Sequence, residues 1–347
     1  MRFLSFIGRL SPFLLAVLVP LFLASLLFNL SFISPVDPDS QILISVEIPE
    51  RVSHEELADI LAERGLVRSA FGTKHVINKI SKKKGENIKF KHGEYEISPA
   101  LSPHDVIEKL LSGQTITRNF IVLAGLTFDD VAKRISDAGL AEKDDILKAM
   151  KKRDLLIRLR VGAGIPEGYF IPGGYTFTKP ISPEAIIEEL IKKGNDKIAK
   201  KFPNLNKRLE ELKIDYYTML IMASMIELES NSPEVKAKIA SVFYNRYLLE
   251  MPIKSVPALA YFKKVSVEKI SEADTKSPNP YNTFLTSKLP ATPLCASSLE
   301  SIDIALNPET TDFLYYFKDS SGEFYFSKTQ KEHEEKQRGK NPIFWFK

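Results

Sequence analysis

From Leu10 to Val36 the chain carries no charged side chain. A helix needs ~20 apolar residues to cross a bilayer core, and PFLLAVLVPLFLASLLFNLSFI is long enough. Arg2 and Arg9 precede this run, and Asp37 and Asp39 follow it. The positive-inside rule then leaves the short N-terminus in the cytoplasm and everything beyond the run outside. Pro20 is compatible with a membrane helix, where neighbouring groups satisfy the freed carbonyl. A cleaved signal peptide would have a shorter apolar region followed by a small-residue cleavage site, and none is found. The run therefore predicts a transmembrane helix over 10–33, behind a cytoplasmic 1–9 and ahead of a linker over 34–41. Both readings export the large domain, which disfavours nucleotide-driven chemistry, and the sequence has neither a P-loop nor G-x-G-x-x-G.

Beyond the linker the chain repeats itself. VSHEELADILAERGL (Val52–Leu66) lies over LTFDDVAKRISDAGL (Leu126–Leu140) without gaps. Each copy opens on an N-cap candidate, Ser53 or Thr127, with an acid at N3, Glu56 or Asp130, in capping-box spacing. Apolar residues flank each cap at the staple positions, and Gly65 or Gly139 stands where a helix C-terminus favours glycine. A second pair follows: GEYEISPALSPHDVIEKLLS (Gly93–Ser112) over GGYTFTKPISPEAIIEELIK (Gly173–Lys192). Both read as a short alternating strand, a turn, Ser-Pro at Ncap and N1, and an amphipathic helix. Two related small α/β units are expected, over 42–115 and 116–205. Neither holds a nucleophile constellation or a phosphate cradle, which leaves a spacer or a glycan-binding module. The basic stretch SKKKGENIKFKHG (Ser81–Gly93) reads as a solvated loop.

Composition excludes several alternatives. The 48 basic and 44 acidic residues leave a formal net charge of +4, which is not a nucleic-acid footprint. With Cys295 as the one cysteine, no intramolecular disulfide and no cysteine-based metal cluster can be built, and a buried thiol is expected. The five histidines are scattered without ligand spacing. No metal and no cofactor is expected.

From residue 206 onward the pattern is mainly helical. IDYYTMLIMASMIELES (Ile214–Ser230) is an apolar helix ending in two acids, Glu227 and Glu229. A second helix follows, opened by Ser232 and Pro233, with Val235, Ile239, Val242 and Phe243 as its apolar face. TDFLYYFKDSSGEFYFSKT reads as a hairpin around Ser-Ser-Gly. A carboxyl at the end of an apolar helix is either solvated or desolvated, and desolvation raises its pKa toward the range of a general acid. Residues two apart on a helix point to different sides, so Glu227 and Glu229 are not a facing pair.

ASMIELES (Ala223–Ser230) followed by IASVFYNRY (Ile239–Tyr247) resembles the catalytic core of the MltG/YceG endolytic murein transglycosylases. NPYNTF (Asn279–Phe284), EGYFIPGGY (Glu167–Tyr175) and YFSKTQKEHEE (Tyr325–Glu335) resemble further motifs of that family, in the same order. The resemblance implies an α+β protein: an N-terminal transmembrane helix, two small LysM-like α/β units, and a mainly helical, lysozyme-like catalytic region over 206–347 with a terminal β-hairpin. It implies non-hydrolytic cleavage of the MurNAc–GlcNAc β-1,4 bond, with Glu229 as catalytic acid/base. It also implies substrate contact by Tyr281, Asn282, Thr283, Asn245, Arg246, Ser230 and Glu227. An Asn-Thr loop and a helix-borne Asn-Arg equally serve to satisfy backbone groups. Implied partners are peptidoglycan glycan strands, the lipid bilayer through residues 10–33, and wall-synthesis proteins, with no nucleic acid.

The chain also departs from that family's pattern. Val256 replaces an acid, Ala296 stands where an asparagine is expected, Phe324 stands near an expected histidine, Gly173 replaces an aspartate and Ala124 a glutamate. These losses favour an alternative, a catalytically inactive scaffold that binds peptidoglycan. A tethered spacer without glycan affinity is a third reading.

Overall fold

In the computed structural model, residues 16–23, 32–85, 88–162 and 164–343 are described. The expected membrane span over 10–33 lies largely outside them. Within it, residues 16–23 are helical with exposed side chains. Among the described residues no helix is long and apolar enough to cross a membrane.

The chain divides into two compact units, one of residues 1–118 with 177–181, the other of 119–176 with 182–347. Apart from residues 177–181, the second repeat copy after Arg118 belongs to one unit with the C-terminal region.

The first unit runs β1 (Ile44–Ile48), α1 (His54–Glu63), α2 (Ala70–Lys84), β2 (Gly93–Ile97) and α3 (Pro103–Ser112). β1 and β2 pair antiparallel, with Val46 opposite Tyr95. Alternation sends Val46, Ile48, Tyr95 and Ile97 into a core completed by Leu57 and Leu61 of α1 and by Val106, Ile107 and Leu110 of α3. The basic stretch 81–93 departs from the solvated loop expected of it. Its first residues are the last turn of α2, and Ile88 and Phe90 are buried in the core while the lysines stay outside. Two apolar residues among lysines were enough to anchor it.

The second copy follows as β3 (Arg118–Val122), α4 (Phe128–Asp137), α5 (Lys143–Ala149), α6 (Arg153–Arg158), β4 (Gly173–Phe177) and α7 (Pro183–Lys201), with β3 paired to β4. The duplication extends to single hydrogen bonds. Ser53 and Thr127 both close capping boxes, with Glu56 and Asp130. Gly65 and Gly139 both turn left-handed, at φ 67° and 70°. Tyr95 and Tyr175 are both buried, and each hydroxyl donates to the carbonyl four residues back, Lys91 O and Ile171 O. Each copy also has a leading strand and an intervening helical segment that the repeat alignment did not cover.

The C-terminal part contains α8 (Leu205–Leu212), α9 (Tyr216–Glu229), α10 (Pro233–Leu248), α11 (Val256–Lys263), α12 (Glu272–Thr275), α13 (Leu299–Leu306), the strands β5 (Tyr315–Lys318) and β6 (Phe324–Ser327), and α14 (Gln330–Gln337). Asp215 caps α9 by accepting from Thr218 N at 2.6 Å. Apolar on every side, α9 is buried on every side: each residue from Met219 to Ile226 is enclosed, with α10 and α13 packed against it. β5 and β6 form the expected antiparallel hairpin, with Tyr316 opposite Phe326 and Lys318 opposite Phe324. Cys295 is fully buried, as expected.

Candidate active site

α9 ends at Glu229 because Ser230 is extended and Ser232-Pro233 starts a new helix, where the proline ring prevents continuation. The break turns the Glu229 carboxyl into a cleft of about 410 Å3, lined also by Ser230, Ser232, Val235, Lys318 and Phe324. Among the described lining residues Glu229 is the sole carboxylate.

Ser255 Oγ, at the start of α11, donates to Glu229 Oε1 at 3.0 Å. The Tyr316 hydroxyl of β5 faces the same carboxyl. Burial pushes the Glu229 pKa up to about 7, against the opposing pull of these two hydroxyls. The carbonyl end of α9 also disfavours negative charge there.

Glu227 has the opposite surroundings. Lys236 Nζ of α10 stands 2.8 Å from its Oε1, with both side chains buried, at 4% and 9% exposure. Ser298, the N-cap of α13, donates both its backbone N–H and its hydroxyl to Oε2, at 2.8 and 2.6 Å. Burial acts to raise this carboxyl, but Lys236 and Ser298 outweigh it and hold its pKa below the usual carboxylate value. The two acids therefore serve separate environments, as their helical spacing required.

The loop that carries Ser255 is held from two sides. Thr283 Oγ1 accepts from Ser255 N at 2.9 Å and Thr283 O from Lys254 N at 3.0 Å. Arg246, 7% exposed, donates to Pro252 O and Ile253 O on that loop and to Leu314 O just ahead of β5. One guanidinium thus spans the backbones that present Ser255 and Tyr316.

A family model described as the YceG-like family matches residues 46–339. The chain belongs to that family. The Bacillus subtilis protein named "Endolytic murein transglycosylase" is 29% identical over 323 residues, covering 88% of this chain and 87% of its own. A Streptococcus pneumoniae protein of the same name is 25% identical, with 88% of this chain aligned to 60% of the longer pneumococcal one. The crystal structure of a yceG-like protein from Listeria monocytogenes superposes with a TM-score of 0.57 at 30% identity, covering 85% of this chain and 99% of that one.

In this YceG-like chain the other residues singled out by sequence fall in distinct places. Ser230 lines the cleft, its Oγ accepting from Ser232 N. Tyr281 is half-buried, bonded to Thr292 Oγ1 at 2.9 Å and stacked on Phe262. Asn282 is buried, its amide donating to Asp274 O, Thr275 O and Ser277 O while its oxygen accepts from Phe284 N. Asn245 donates to Thr311 O and Phe313 O. Sequence reasoning missed Ser255, Tyr316, Lys236, Ser298 and Lys318. Ser255 directly precedes Val256, one of the departures from the family pattern.

The departures have their own surroundings. Val256 packs on a small apolar cluster of Leu259, Ala260 and Ile270. Ala296 exchanges backbone hydrogen bonds with Gly125 and Leu126, at 2.9 and 2.7 Å. Gly173 has φ 150°, and a Cβ there would lie 2.5 Å from Lys197 Nζ. Phe324 lines the cleft.

Another buried acid lies in the same unit. Glu167, 1% exposed, accepts from Phe128 N and from the Tyr261 hydroxyl, at 2.9 Å for the latter. Burial without a cation pushes its pKa up to about 8.

Proposed function

We propose that this chain is a lytic transglycosylase that cleaves the MurNAc–GlcNAc β-1,4 bond of peptidoglycan and leaves a 1,6-anhydro-MurNAc end. The observation that carries the reading is Glu229, the lone carboxyl among the described lining residues of the cleft, its pKa pushed up to about 7 by burial and its Oε1 held by Ser255. A hydrolase normally works with two carboxylates. A transglycosylase manages with one, because the sugar's own 6-hydroxyl is the nucleophile and is already tethered near C1. Glu229 gives its proton to the glycosidic oxygen as the C1–O bond breaks and GlcNAc leaves. O6 then bonds to C1, and its proton returns to Glu229, so the acid is regenerated without water being consumed. The names carried by the Bacillus and Streptococcus relatives support the substrate class.

In this reading Ser255, Thr283 and Arg246 position Glu229, and Asn245 and Asn282 fix the loops around it. Ser230 and Tyr281 are the surfaces left to meet the glycan, while Glu227 locks α9 to α10 and α13. The first unit, a β-α-α-β arrangement closed by α3, is read as a LysM-like module offering a second hold on the strand. The uncharged run over 10–33 anchors the chain in the plasma membrane, with the catalytic part on the outer side. Wall-synthesis enzymes are its natural protein partners there.

The test is product analysis by mass spectrometry after incubating intact murein with the full chain in detergent, wild type beside Glu229→Gln. Anhydro-ended muropeptides from the wild type alone support both reaction and residue. Folded proteins that both bind murein and release none would favour the inactive scaffold suggested by Val256, Ala296 and Phe324.

A further inference from the structure

β5 brings a cation to the same cleft. Side chains alternate along a strand, so Tyr316 and Lys318 share a face, about 7 Å apart. Tyr316 touches Glu229, and Lys318 lines the cleft wall beyond it. Its ammonium lies over the ring of its cross-strand partner Phe324, 5.5 Å from the centroid. Gly322 in the hairpin turn leaves the lysine stem uncrowded, since an added Cβ would only touch Lys318 Cε, at 3.9 Å.

Acids of the hairpin and of the helices that flank the cleft are engaged elsewhere. Asp319 accepts from Ser321 N, Ser321 Oγ and Glu323 N within the turn. Glu323 accepts from the Tyr325 hydroxyl at 2.6 Å. Glu234 accepts from Ser232 Oγ at 2.6 Å. Glu227 is held by Lys236 and Ser298. Among the described residues Lys318 makes no ion pair, although it stands on the wall of a cleft whose one carboxyl is Glu229.

We infer that Lys318 is a specificity-determining residue that recognises a carboxylate on the 3-O-lactyl arm of the muramyl unit at the scissile bond. This rests on the proposed reaction. Of the two sugars in the strand GlcNAc is neutral, and the acidic arm belongs to the sugar whose C1 is attacked. Glu229 and Lys318 line one cleft, so a muramyl unit held there for attack at C1 brings its acidic arm into the same space as the ammonium. The carboxylate has two sources: the lactyl group itself on a peptide-free strand, or the stem peptide on a substituted one.

Binding to the full chain carrying Glu229→Gln tests this without turnover. Calorimetry compares three strands: peptide-bearing, peptide-free with a free lactyl carboxylate, and peptide-free with that carboxylate converted to the methylamide. An exposed charge pair is worth up to about 1 kcal/mol, so an acidic strand should bind about fivefold tighter than the methylamide. That advantage should vanish when Lys318→Gln is added, and shrink in high salt. Preference for the peptide-free acid alone assigns the lactyl carboxylate, and preference for the peptide-bearing strand alone assigns the stem peptide. Equal affinity for all three, or a Lys318→Gln change that weakens all three alike, overturns the inference. Failure to bind any strand removes the glycan reading and Lys318 with it. Wild-type turnover, scored separately by anhydro products, decides the reaction itself.

Discussion

Glu227 and Glu229 stand two residues apart on α9, yet Lys236 at 2.8 Å keeps the first ionised while burial keeps the second protonated up to about pH 7. A pair of acids driven apart in this way marks an acid and a structural charge. Glu227 also faces the N-terminus of α13, where a negative charge is favourable, whereas Glu229 sits at the C-terminus of its own helix, where it is not.

The pH profile follows from that difference. In the proposed reaction Glu229 must hold its proton at the start, so kcat/KM should be level below about pH 7 and fall as pH rises through it. Glu229→Gln should reduce turnover at least about a thousandfold, the scale of a lost general acid. A rate that climbs from pH 6 to pH 8 would sink the assignment.

Ser255→Ala removes a hydroxyl that favours the ionised form of Glu229. The carboxyl should then titrate at higher pH, moving the alkaline limb upward while kcat drops by about tenfold as the acid loses its orientation. The two effects are read from one set of pH–rate curves, and an unmoved limb contradicts the role.

Lys236→Met leaves Glu227 buried with Ser298 but no cation. Stranding a buried charge should cost about 3 kcal/mol of folding stability, measured by denaturant titration. Adding Glu227→Gln should recover a good part of it, because the uncompensated charge goes with the carboxylate.

Glu167 gives a pH-dependent stability. Its folded pKa of about 8 lies above the unfolded value of 4.5, so the unfolded chain releases its proton first. Stability contributed by the protonated group is complete below the unfolded value and lost as pH rises toward about 8. Glu167→Gln does not titrate, so its Tm should gain on the wild type between pH 5 and pH 8. A constant difference in parallel melts would show that Glu167 is ionised throughout.

The parts of the fold legible from sequence are those written in local chemistry. Capping boxes at Ser53 and Thr127, glycines at 65 and 139, and Ser-Pro steps at 102–103 and 182–183 act within a few residues, and the structure has each where the pattern put it. The apolar run before Glu229 foretold a buried helix. The partners of Glu229 were not legible, because Ser255 and Tyr316 reach it through loop closure and strand pairing that no periodicity records. Arg246 was legible as a residue type but not as a job: a helix-borne arginine gives no sign that its donors will go to Pro252, Ile253 and Leu314 carbonyls. In 81–93 the lysines concealed the packing of Ile88 and Phe90.

Thr283 grips the Ser255 loop with its side chain and its backbone at once, and sits in a turn whose own shape depends on Asn282. The proton affinity of the Glu229 carboxyl is therefore adjustable from a turn that reaches it only through Ser255. Substitutions in that turn are a route to retuning the carboxyl while the residues lining the cleft stay the same.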